Sequence, residues 1–101
     1  MDKDWNREHA EKYTEILKLD KKLTENKIPH ALYPCYDGWI IEYYDPEGNK
    51  VGDAIEHRSS YGLEIDGFWR KDIEGNLTVD MAYEYFYYTH EKVKGAENEQ
   101  T

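Results

Sequence analysis

The run from Trp39 to His57, WIIEYYDPEGNKVGDAIEH, leaves the chain little choice of local structure. Trp39 to Tyr44 is rich in aromatic and β-branched residues, which suit the pleated, half-buried surface of a strand. Asp45-Pro46-Glu47-Gly48-Asn49 then brings a proline with fixed φ and a glycine for a left-handed position, so the chain reverses there. Val51 to His57 returns as the hairpin partner. Whatever flanks this hairpin has to pack on its apolar face.

Both flanks read as helices. Asp4 to Glu25 predicts an N-terminal helix with Trp5, His9, Tyr13, Ile16, Leu17, Leu19 and Leu23 on one half of its wheel. Arg7, Glu11, Lys18, Lys22 and Glu25 fall on the other half. Asp2 and Asp4 suit the positive end of the helix dipole, and Lys21, Lys22 and Lys27 the negative end. Asn26 and Pro29 stop the helix. At the other flank Thr78 caps a second helix, Val79 to about Val93, with Val79, Ala82, Phe86, Thr89 and Val93 on its apolar side.

Two further strands are expected. Ala31-Leu32-Tyr33 is short and ends at Pro34. Leu63 to Trp69 alternates, with Leu63, Ile65 and Trp69 facing one way and Glu64, Asp66 and Phe68 the other. Residues 70–77 form a polar connection. With 101 residues the chain holds one core. The expectation is a single α+β domain over residues 1–94: N-terminal helix, antiparallel sheet of three to four strands, C-terminal helix. Residues 95–101 read as a polar tail that frays.

Charge narrows the partners. The net charge is −9, and residues 30–101 carry all of it, because residues 1–29 hold seven acids and seven bases. Such a surface repels nucleic acid and anionic membranes and attracts basic proteins. No apolar run is long enough to span a membrane, and the first residues lack the apolar core of a signal peptide. With a single cysteine, Cys35, these features point to the cytoplasm.

The stretch Ile55-Glu56-His57-Arg58-Ser59-Ser60-Tyr61-Gly62 concentrates reactive side chains. Asp53, His57 and Ser59 or Ser60 are the residue types of a nucleophile, its base and an orienting acid. However, no strand–turn–helix elbow surrounds the serines, so no catalytic residue is assigned. As a ligand site, His57, Arg58, Ser59, Ser60 and Tyr61 would offer amides and a guanidinium to an anion or nucleotide. As a plain turn, the same residues would join two strands, with Tyr61 leaning on the core and His57 bonded to backbone or a carboxylate. His9, His30, His57, His90 and Cys35 lack the close spacing of a zinc site, so neither metal nor cofactor is expected.

Two surfaces suit a protein partner instead. Alternation puts Glu42, Tyr44, Glu64, Asp66 and Phe68 on the sheet face away from the helices. In YEYFYYTH, Tyr83 to His90, five aromatics cannot all face one core, and Tyr88 points away from Phe86. Exposed tyrosines beside acids provide contact area at low entropic cost.

The segments EILKLDKKLTENKIPHAL, DGW, DAIEHRSSYG and GNLTVDMAYEYF resemble small uncharacterised proteins encoded by phages and prophages of Gram-positive bacteria. The resemblance spans about residues 14–89 and departs at 63–77. It implies a mobile-element setting rather than an activity. Together with the acidity, it gives the expected function: a non-enzymatic, anti-CRISPR-like inhibitor of a basic-surfaced, nucleic-acid-handling host protein, monomeric or homodimeric. An immunity-type inhibitor of a toxin nuclease is a close relative of this reading, and a small-ligand binder using Arg58–Tyr61 is the alternative. Because Cys35 has no internal partner, the melting temperature followed by circular dichroism is expected to be the same with and without reducing agent.

Overall fold

A computed structural model describes residues 5–99. The hairpin forms as its sequence demands, with β2 (Gly38–Tyr44) antiparallel to β3 (Lys50–Glu56) around the Asp45–Asn49 turn. Asp45 carries this turn: its carboxylate accepts the backbone N–H groups of Glu47 and Asn49. Ahead of it lies β1 (Ala31–Cys35), and behind it β4 (Glu64–Gly67), giving a four-stranded antiparallel meander in the order β1-β2-β3-β4. β1 runs through Pro34, which pairs with Trp39. Proline is tolerated there because β1 is an edge strand and needs no outward N–H. The opposite edge is occupied too: Ile65 and Glu74 exchange both backbone hydrogen bonds, at 2.8 and 3.0 Å.

Helices α2 (Thr14–Glu25) and α3 (Val79–Glu99) cover one sheet face, in the expected α+β arrangement. Ile16, Leu19 and Leu23 of α2 and Ala82 and Phe86 of α3 bury against Trp39, Ile41, Tyr43, Ala54 and Ile65. Tyr43 meets Phe86 edge-on and places its hydroxyl 3.0 Å from Nδ1 of His90. Thr78 caps α3 by accepting the N–H of Met81. α3 continues as helix to Glu99, past the Val93 expected as its end, while Gln100 and Thr101 lie outside the described residues.

The expected single N-terminal helix is two. A short turn of helix, α1 (Arg7–Ala10), precedes α2, and Tyr13 between them leaves helical conformation at φ −82°, ψ 76°. The break has a long-range cause. Trp5 donates its indole N–H to the carbonyl of Gly38 and Trp39 donates its own to that of Ala10, both at 3.0 Å, pinning α1 to the β1–β2 turn. Tyr13 offers α2 no side-chain cap, so the Glu56 carboxylate of β3 caps it instead, accepting the N–H of Ile16 at 3.0 Å. Asp2 and Asp4, expected near this helix start, lie outside the described residues.

A second departure concerns Phe68 and Trp69, whose expected faces are exchanged. Gly67, Phe68 and Trp69 all have positive φ, at 92°, 56° and 60°. Three left-handed residues in a row end the strand and cancel its alternation. Phe68 turns inward onto Phe86 and is 6 % exposed, whereas Trp69 is 63 % exposed. Gly52 makes this possible: a Cβ there would lie 2.6 Å from two carbons of the Phe68 ring. Gly52→Ala is therefore expected to destabilise the fold by about 1–3 kcal/mol through overpacking. Gly95→Ala, in open space on α3, is expected to stabilise by up to about 1 kcal/mol. Urea midpoints of the two variants check both signs.

Candidate functional site

The loop after β3 holds itself together. Five consecutive backbone N–H groups have partners within the protein. That of His57 goes to the Ser60 hydroxyl, that of Arg58 to Asp37, and that of Ser59 to Nδ1 of His57. Ser60 bonds to the His57 carbonyl and Tyr61 to the Glu64 carboxylate. No amide in the run faces outward for an anion, and two of the five acceptors are carboxylates. Tyr61 projects into solvent rather than leaning on the core, while the Arg58 side chain is exposed. Asp53 is paired with Lys50 at 2.6 Å, and among the described residues no hydrogen bond links it or either serine hydroxyl to the His57 ring. The residue types of a triad are present without its connectivity.

His57 itself is buried and tilts against Tyr36, with ring centroids 4.6 Å apart. Burial pushes its pKa below the ordinary value, outweighing the attraction of Asp37 and Glu64. Accepting the Ser59 N–H at Nδ1 requires the same neutral ring, with its proton on Nε2.

Sequence reasoning missed the polar centre of this end of the molecule, which is Asp37. Its carboxylate accepts the Tyr13 hydroxyl at 2.5 Å, Nε2–H of His9 at 3.1 Å and the Arg58 N–H at 2.8 Å. Burial alone would raise its pKa, but these three hydrogen bonds win and hold it well below the usual carboxylate range. Burial and the same bond push the Tyr13 phenol up to about 12. The local signal was only an Asp-Gly turn; the partners come from 21 to 28 residues away.

The open sheet face is the other candidate. The register aligns Glu42 with Asp53 and Asp53 with Asp66, so three carboxylates cross β2, β3 and β4 in one row. Adjacent strands lie about 4.8 Å apart, a spacing at which like charges repel. Burial first, and then Asp66 and Glu42, push the Asp53 pKa up. Lys50 offsets part of the repulsion, at 2.6 Å from Asp53 and 3.4 Å from Glu42. Tyr44 donates its hydroxyl to Glu42, and Tyr33, also exposed, shares this face with Ile40 and Ile55. Burial foremost, and then the Asp53 and Glu42 carboxylates, raise the pKa of Cys35 against the opposing charge of Lys50, keeping it a thiol and a poor nucleophile.

Of the residues expected on this face, Glu42, Tyr44 and Asp66 are there. Phe68 is inside, for the backbone reason given above. Glu64 has the right strand parity but is only 8 % exposed, because residues 61 and 75 close over it and the Tyr61 N–H bonds to its carboxylate. Asp53 belongs in the row and was not expected there. Its signal was the pair Gly52 and Ala54, small residues that face the helices and so turn Asp53 outward. Tyr88, on α3, is 65 % exposed as its wheel position required.

Compared with protein-family models, curated proteins and solved structures, the chain matches none. Among the described residues no group of three or more His, Cys, Asp or Glu could hold a metal ion, and no helix is long and apolar enough to cross a membrane.

The His57 geometry fixes a pH response. Its folded pKa lies below the ordinary 6.5, so between that depressed value and 6.5 the unfolded chain binds more protons. Its contribution to stability is complete above this window and declines as pH falls through it. His57→Asn keeps an acceptor near the Nδ1 position without titrating. In urea unfolding at about pH 7.5 and pH 5, the wild type is expected to lose more stability than His57→Asn.

Proposed function

We propose that the chain is a non-catalytic, acidic protein-binding module whose open sheet face docks a protein with a basic surface. The observation that carries this reading is the row Glu42–Asp53–Asp66 on the face that neither helix covers. Placing three carboxylates on neighbouring strands costs the fold stability, with roughly 0.2–1 kcal/mol at stake in each cross-strand pair. A partner presenting lysines and arginines would relieve that repulsion on binding, while the surrounding negative charge speeds its approach. Tyr33 and Tyr44 flank the row and supply contact area.

Proteins with such basic surfaces include those that handle nucleic acids, and an acidic face would occupy the ground their phosphates otherwise take. The sequence resemblance to phage and prophage proteins supports a host defence enzyme as the target, met in the host cytoplasm. Inhibition would then be steric and electrostatic, as also for an immunity-type partner of a toxin nuclease. The Arg58–Tyr61 loop gains less support as a ligand site, since its amides are already bonded within the protein.

Two charge-matched pairs test the proposal. Glu42→Lys with Asp66→Lys would set a lysine on each side of Asp53, so the fold is expected to be as stable as the wild type or more so. Glu8→Lys with Glu25→Lys changes the net charge equally at exposed helical sites that form no ion pair among the described residues, where substitutions cost within about ±0.5 kcal/mol. Proteins captured from host lysate at low salt, identified by mass spectrometry, are expected to be lost with the first pair and kept with the second. Equal capture by both pairs, or loss on Arg58→Ala alone, would refute docking through the sheet face.

A further inference from the structure

α3 uses one stripe for the core and leaves another unpartnered. Ala82, Phe86, Thr89 and Val93 face inward. About a third of a turn away, Met81, Tyr88 and Trp69 are 45, 65 and 63 % exposed and, with Tyr85, line a groove of about 430 Å³ between α3 and the 67–69 turn. Trp69 is held outward by left-handed backbone, a conformation that a bulky residue adopts only where its surroundings impose it. Aromatic residues and methionine at this density mark the centre of a protein interface rather than a solvated flank.

The charges along the stripe say which protein. Glu84 and Lys92 stand four residues to either side of Tyr88, and neither is in an ion pair among the described residues. The Lys92 ammonium instead lies 4.7 Å over the Trp69 ring. At 100° per residue, Glu84, Tyr88 and Lys92 fall within about 80° of one another, with Met81 and Gly95 between them. A second α3 laid antiparallel across a two-fold axis at Tyr88 would bring Glu84 opposite Lys92 of the other copy, twice over. The same operation sets Met81 against Gly95, where an added Cβ would point into open space. A surface that complements itself under a two-fold, in charge and in bulk together, is what an isologous contact requires.

We infer that this stripe of α3, with Trp69, is the interface of a two-fold homodimer of the chain. The contact lies on the helical side of the sheet, so each protomer keeps its Glu42–Asp53–Asp66 row open, and the inference does not depend on what that row binds.

Sedimentation velocity over a concentration series tests it, with circular dichroism confirming that each variant is folded. The wild type is expected to dimerise. Glu84→Lys or Lys92→Glu alone places like charges at both symmetry-related contacts, and each is expected to raise the dimer Kd about tenfold or more. The double variant Glu84→Lys with Lys92→Glu restores opposite charges at both contacts and is expected to recover most of the lost affinity. A wild type that stays monomeric at about 1 mM would overturn the inference. So would a dimer indifferent to the single reversals, or a double variant no tighter than the singles.

Discussion

One carboxylate, Asp37, fastens three parts of the chain that lie far apart in sequence. Tyr13 and His9 come from the N-terminal segment, Arg58 from the loop after β3, and Asp37 itself from the β1–β2 turn. With two of the three bonds coming from ordinary side chains and one from backbone, removing the acceptor would leave several donors without a partner at once. Around it the two indole bonds repeat the same connection, one donated each way: Trp5 to Gly38 and Trp39 back to Ala10. The start of α2, the conformation of the His57 loop and the seating of α1 all follow from this end being tied.

That dependence explains which features were legible in the sequence. Trp39 and Ile41 inward, Phe86 inward and Tyr88 outward are periodicity statements, and periodicity is local. The hairpin, the α3 cap at Thr78 and the α+β order were equally local. The helix break at Tyr13 was not, because the residue is released from helical conformation by partners on the sheet. Phe68 and Trp69 were misplaced because alternation assumes extended backbone, and nothing in their chemistry announces a positive φ. Glu64 had the right parity, but its exposure is set by a loop folding back from residue 75. Asp53 needed the register, which local patterns leave open.

The two surfaces divide the molecule by chemistry. The sheet face is acidic, flat and tied together by Lys50, whereas the α3 stripe is aromatic and balanced in charge. A field of one sign acts at long range, whereas aromatic area acts only on contact. The loop that looked most like chemistry, IEHRSSYG, serves neither surface directly. Its five amides from His57 to Tyr61 are bonded within the protein, to Ser60, His57, Asp37 and Glu64, and the Arg58 N–H ties the β3–β4 connection to the β1–β2 turn.

The two closed edges of the sheet carry a consequence for how the protein fails. A meander normally offers two rows of unpaired backbone groups, each a template on which another chain can add a strand. Here Pro34 interrupts the donor row of β1, and Glu74 pairs with Ile65 along β4. The aromatic and β-branched strand β2 lies inside the sheet, where β1 and β3 keep its backbone paired. Protection against strand addition at the two edges thus rests on a short bridge and one proline rather than on the core.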